Sequence, residues 1–212
     1  MKVNNMLPHD CQLENESLSI IENDDMFSYI LFSDTPKGEI DARNKHFFKC
    51  KFSKIDFSKV LIGGARFDNC IFDNCTLQNV DLSKFGLYYC IFEKCKLFGV
   101  KVSNSKLKDV TFDNTEGMYN DFSYSSLVNV HFLDSVFTYT NFEGIETKDL
   151  IFSHCNIKES VFYESNIRDV DFSSTEISDI KIDAKSLKGL IVSKEQAIAL
   201  SRFLGIYIKE EL

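Results

Sequence analysis

Large apolar residues recur at every fifth position from Phe47 to Val192. Of the 30 positions in that series 28 carry a large apolar side chain, Gly117 and Thr147 being the exceptions, and 14 of the chain's 20 phenylalanines fall in it. Chance would place about one in five there. A second register runs two residues ahead of the first and holds small or β-branched residues: Cys50, Ile55, Val60, Ala65, Cys70, Cys75 and Val80, then later Val130, Ser135 and Thr140. Residues two apart in an extended segment point to the same side, so each unit turns one large and one small side chain inward. The three remaining residues must turn a corner. Neither an amphipathic helix nor a sandwich strand has this period, and the pattern predicts a coiled solenoid.

The small register also sets the size of the coil. Sorted at intervals of twenty, it yields one column of Cys50, Cys70, Cys90, Val110, Val130 and another of Ile55, Cys75, Cys95, Thr115, Ser135, Cys155. Columns this homogeneous predict four units per coil, with like residues stacked about 4.8 Å apart. The rod then has a little over seven coils and a length of about 35 Å. Pro8 and Pro36 both lie outside the perfect register, as expected where ladders need every N–H.

A stack of coils has two ends that need caps. Residues 1–24 are polar and acidic and are expected to be disordered or a loose cap. Residues 25–192 read as the solenoid, with an imperfect first coil interrupted at Pro36-Lys37-Gly38, and residues 193–212 as a C-terminal unit. There Ser193-Lys194-Glu195-Gln196 reads as a capping box. A helix follows to about Phe203, Gly205 is placed to end it, and Ile206-Tyr207-Ile208 reads as a short strand. This unit is either a cap on the last coil or a homodimer interface formed by Leu200, Phe203, Leu204, Ile206 and Ile208.

Composition narrows the function. The 24 basic and 32 acidic residues give a net charge of −8, which argues against direct nucleic-acid binding. The chain has no run of about 18 apolar residues for a membrane helix and no signal-like N-terminus, so a cytoplasmic protein without membrane association is expected. His9, His46, His131 and His154 are scattered outside metal-binding spacings, and no phosphate-binding, dinucleotide or nucleophile motif occurs. The pairs Cys70/Cys75 and Cys90/Cys95 are accounted for by the inward register. No metal, cofactor or enzymatic activity is expected. Charge is instead segregated: residues 45–110 carry net +6 and residues 111–192 net −8.

The units Ile55-Asp56-Phe57-Ser58, Val80-Asp81-Leu82-Ser83, Asn120-Asp121-Phe122-Ser123 and Val170-Asp171-Phe172-Ser173 resemble the pentapeptide repeat motif. That resemblance covers about 150 residues and implies an all-β fold, a right-handed quadrilateral β-helix. The segment from Leu187-Lys188-Gly189 to Ile208 resembles the C-terminal tail of Qnr-type quinolone-resistance proteins, which dimerise through it. For function the resemblance implies a DNA mimic that binds DNA gyrase or topoisomerase IV and protects against fluoroquinolones. The acidic outer faces are then the partner surface, with Asp109, Asp149, Asp169, Glu143, Glu146 and Glu164 as candidates. The basic half departs from a uniform mimic, and no inserted loop interrupts positions 47 to 192. Thr115–Tyr119 and Gly144–Lys148 break the consensus, either as outward bulges that supply a contact or as tolerated defects. The alternative function is a structural or adaptor module that binds another protein through its flat faces, the basic half being its docking surface.

Overall fold

From Met26 onward every strand pairing is parallel and joins residues twenty apart, as in Met26 with His46 and Phe92 with Phe112. The isolated bridges keep the same offset as far as Asp171 with Ile191. Four five-residue units therefore complete one turn. The computed structural model describes residues 13–209, and through them the chain is a right-handed quadrilateral β-helix of about seven turns. Its four faces are named by their central residues: face A by Phe47 and Phe67, face B by Phe52 and Phe72, face C by Phe57 and Leu77, and face D by Ile62 and Leu82.

The core is the large register itself. On face B the rings of Phe32, Phe52, Phe72, Phe92, Phe112, Phe132 and Phe152 form one stacked column with centroids 4.5–5.2 Å apart. Parallel stacking at this distance follows from the coil spacing. The small register has a second role. The Sγ of Cys70 donates to the Phe47 carbonyl, and the hydroxyls of Ser105, Thr115 and Ser125 donate to Leu82, Phe92 and Val102. Each donor thus reaches the carbonyl 23 residues back. Cysteine, serine and threonine are interchangeable there because each is small and carries one donor. Burial pushes the Cys50 thiol up to about 11 and the Cys90 thiol up to about 12, so both stay protonated and unreactive.

Corners have their own chemistry. The last residue of most units stands in the left-handed region, including 24 residues other than glycine, and half of those are Asn or Asp. These two side chains tolerate positive φ better than others. The aspartate at the second position of many units locks the turn that follows: Asp56, Asp81, Asp121 and Asp171 accept from the backbone N–H of Ser58, Ser83, Ser123 and Ser173.

The two units that break the consensus stay in register rather than bulging. Glu116–Met118 pairs with Lys96–Phe98 and Val136–Thr138, and Glu146–Lys148 pairs with Ser126–Val128. The space over Gly117 is filled by the Phe137 ring of the next coil and by Asn120, a buried residue in the small register whose Oδ1 accepts from the Val100 N–H.

Both ends are closed. Residues 1–12 of the acidic N-terminal segment lie outside the described residues. Strand β1 (Glu14–Glu16) pairs with Ile30–Phe32 at an offset of sixteen, and Leu18 and Ile21 are buried behind it. At the other end the capping box forms as the sequence predicts, with helix α1 over Lys194–Leu200. Gln196 does more than close the box. Its Nε2 donates to the carbonyls of Phe172 and Thr175 on the open edge of the coil below. The helix is shorter than predicted: Ser201–Leu204 tightens into a 3-10 turn, and Gly205 ends it in the left-handed region. Residues 206–208 form no strand in the single chain. No edge among the described residues pairs with them, and Tyr207 is 96% exposed.

Candidate functional site

The six acidic candidates fall on two different corners, both bordering face A. Asp109, Asp149 and Asp169 stand at the A/B corner, all three in the left-handed region. Asp109 accepts from the Nδ2 of Asn129, one coil on. Asp149 and Asp169 are exposed. Aspartate in this column has a backbone reason to be there, since Asn69 and Asn129 occupy the same position in other coils. Its charge alone is therefore weak evidence of a partner.

Glu143, Glu146 and Glu164 lie around the D/A corner, where the structure brings them together across two consecutive coils. The Tyr124 hydroxyl donates to Glu143 Oε1 at 2.9 Å, and Asn166 Nδ2 donates to Glu146 Oε2 at 3.1 Å. Glu143 and Glu146 have no left-handed backbone to explain them. Between the two acidic corners face A carries Lys148 and Arg168, the latter 3.8 Å from Asp169. The carboxylates thus form two separate acidic edges, not a continuous sheet.

Sequence reasoning passed over a group of tyrosines. Tyr119, Tyr124, Tyr139 and Tyr163 are exposed on face D and its two corners. Tyr119 and Tyr139 stack at 5.1 Å, and the Tyr139 hydroxyl donates to Glu159. The carboxylates beside Tyr124 and Tyr139 raise both phenols, which remain protonated donors. Four aromatic residues at outward positions of three consecutive coils were visible in the sequence once the outer positions are sorted by twenty. Large exposed aromatics are enriched where proteins meet proteins.

The C-terminal candidates divide. Leu200 is buried against this chain's own core, and Phe203 is half-buried. Leu204, Ile206 and Ile208 are each at least half exposed. Leu187, Leu190, Val192, Leu200, Leu204 and Ile206 line an open apolar groove of about 210 Å³.

Among the described residues no three His, Cys, Asp or Glu side chains come together to hold a metal ion. No described helix is long and apolar enough to cross a membrane.

Residues 113–182 match the SV2A/B/C luminal domain. No curated protein matches the chain in sequence. Among solved structures, full-length QnrB1, a plasmid-mediated fluoroquinolone resistance protein, is similar at 18% identity. The match covers 85% of this chain and 100% of that one, with a TM-score of 0.38. HetL from Nostoc sp. strain PCC 7120, a pentapeptide repeat protein involved in heterocyst differentiation regulation, matches at 13% identity over 78% of this chain and 86% of its own, with a TM-score of 0.29. The A-module of the mannuronan C-5 epimerase AlgE4 from Azotobacter vinelandii matches at 9% identity over 78% of this chain and 56% of its own, again with a TM-score of 0.29. Residues 65–142 match the family described as pentapeptide repeat region. The five-residue register of that matched segment runs on in both directions with the same twenty-residue pairing.

Proposed function

We propose that this protein is a non-enzymatic, cytoplasmic DNA mimic that binds a type II topoisomerase, DNA gyrase above all, and shields it from fluoroquinolones. The observation that carries the reading is the segregation of charge along a rigid rod. Residues 111–192 hold net −8 on coils fixed by parallel ladders, with one acidic edge at each border of face A. Duplex DNA presents one negative charge per about 1.7 Å of axis, and two acidic edges repeating every ~4.8 Å approach that density more closely than one. Pairing of two copies through the exposed Leu204, Ile206 and Ile208 would set two acidic halves at the centre of a longer rod.

Gyrase supercoiling with added purified protein, with and without a fluoroquinolone, tests the reading. The expected result is restored supercoiling in drug, lost at high salt. Triple reversal of Glu143, Glu146 and Glu164 to lysine is expected to remove the effect while the melting temperature holds. Unchanged supercoiling at tens of micromolar protein, or full activity of the triple variant, would refute the mechanism.

A further inference from the structure

Gly63 is a glycine that the solenoid does not require. Its φ lies outside the left-handed region, and a Cβ added there would meet only the Arg43 side chain, at an ordinary 3.7 Å. Gly63 belongs to the N-terminal half of face D, where Gly63, Gly64, Ser83 and Ser103 keep the floor low beside Leu61 and Asp81, with Asp41 and Arg43 standing toward the end of the rod. Lys101 stands on this floor, Lys59 and Lys84 rim it, and none of the three makes an ion pair among the described residues. The C-terminal half of the same face is its inverse. It raises Tyr119, Tyr124, Tyr139 and Tyr163, carries Asp121, Glu143, Glu159 and Glu164, and between residues 119 and 164 presents no basic residue on the face or its corners.

We propose that face D is a self-association surface on which two copies pack antiparallel, floor against tyrosines. A two-fold axis that lies across the face, between the coils of Val102 and Phe122, reverses the order of coils and keeps each side-chain column opposite itself. It sets Lys101 against Asp121 of the second copy, Leu61 against Val161, and Gly63 against Tyr163. At the C/D corner Lys59 meets Glu159, and Gly99 meets Tyr119. At the rod ends Asp41 meets Lys181, and Arg43 meets Asp183. One like-charge pair, Glu39 with Asp179, falls at the rim, where Arg202 lies 3.8 Å from Asp179 within the same chain. From Ala42 to Ile182 the coils of this face span about 35 Å. With a width of roughly 20 Å each copy covers on the order of 700 Å², near the ~800 Å² per partner of a standard specific interface. The pairing covers Glu143 and Glu164, so it would compete with any partner of those carboxylates. It does not rest on the topoisomerase reading.

Sedimentation velocity of the full chain at micromolar concentration, at about 0.05 M and about 0.5 M salt, tests it. The expected result is association through face D at low salt, seen as a dimer once Ile206→Asp removes pairing through the C-terminal segment, that dissociates at high salt. Lys59→Glu or Glu159→Lys alone weakens it by about tenfold or more, and the double variant recovers it. Gly63→Trp abolishes the dimer with an unchanged melting temperature, because the added ring has room in the single chain and none against Tyr163. Ile206→Asp leaves this dimer intact. A monomer at both salt concentrations would overturn the proposal. So would a Gly63→Trp dimer as tight as the parent's, a double variant as weak as the singles, or loss of the low-salt dimer in Ile206→Asp.

Discussion

The coils of residues 45–110 and those of residues 111–192 share one backbone and one core but have opposite surfaces. Cysteine and valine predominate in the small register of the first, and serine and threonine fill much of the second. The ring column of face B passes through both without interruption as far as Phe152. Outside, the first half is basic and low on face D, while the second is acidic and raised by tyrosines. In a solenoid the inward positions are fixed by packing against the coils above and below, so the outward positions are free to differ. Function in this chain therefore has to be sought in how the outer columns change along the rod, since the repeat itself is the same everywhere.

The largest effect should come from breaking the shared core. Phe72→Ala and Phe152→Ala each remove a buried ring stacked in the face B column and are expected to cost about 3–5 kcal/mol. If the halves form one cooperative unit, circular dichroism will show a single transition for both variants. Two transitions after Phe72→Ala would instead make the basic coils a separate unit, as nearest-neighbour coupling permits.

A smaller effect separates conformation from charge at the A/B corner. Asp149→Asn keeps a residue suited to positive φ and should change stability by less than about 0.5 kcal/mol. Asp149→Val places a β-branched side chain there and should cost about 1–2 kcal/mol. Equal stability of the two variants in urea denaturation would show that the left-handed corner does not select the aspartate.

The smallest effect is the response to acid. Hydrogen bonds from Ser83, Ser173 and Ser178 hold Asp81, Asp171 and Glu176 below their ordinary carboxylate values. A carboxylate depressed in the folded state adds stability above its unfolded pKa and loses it as pH falls through the folded value. The melting temperature should therefore hold from neutrality to about pH 4 and decline below it. Asp171→Asn should flatten that decline slightly. An acid limb identical to the parent's would remove Asp171 from this account.

The periodicity alone determined the fold. A large residue every fifth position, a small one two residues earlier and a twenty-residue homogeneity of columns leave only a four-sided coil, because only that winding buries every such position. The capping box was equally legible, being a local pattern of Ser193 and Gln196. Other features depended on what neighbouring coils supply. The sequence could not say that Gln196 reaches the carbonyls of Phe172 and Thr175, or that 206–208 would find no strand to pair with. Nor could it show that Asp149 and Asp169 stand at positive φ while Glu143 and Glu146 do not, which changes the weight of each carboxylate as a contact. The opposition of a low floor around Gly63 and a tyrosine ridge on one face was likewise hidden. A residue's chain position fixes whether it points in or out, but its neighbours on the surface lie twenty residues away, and only the wound rod places them side by side.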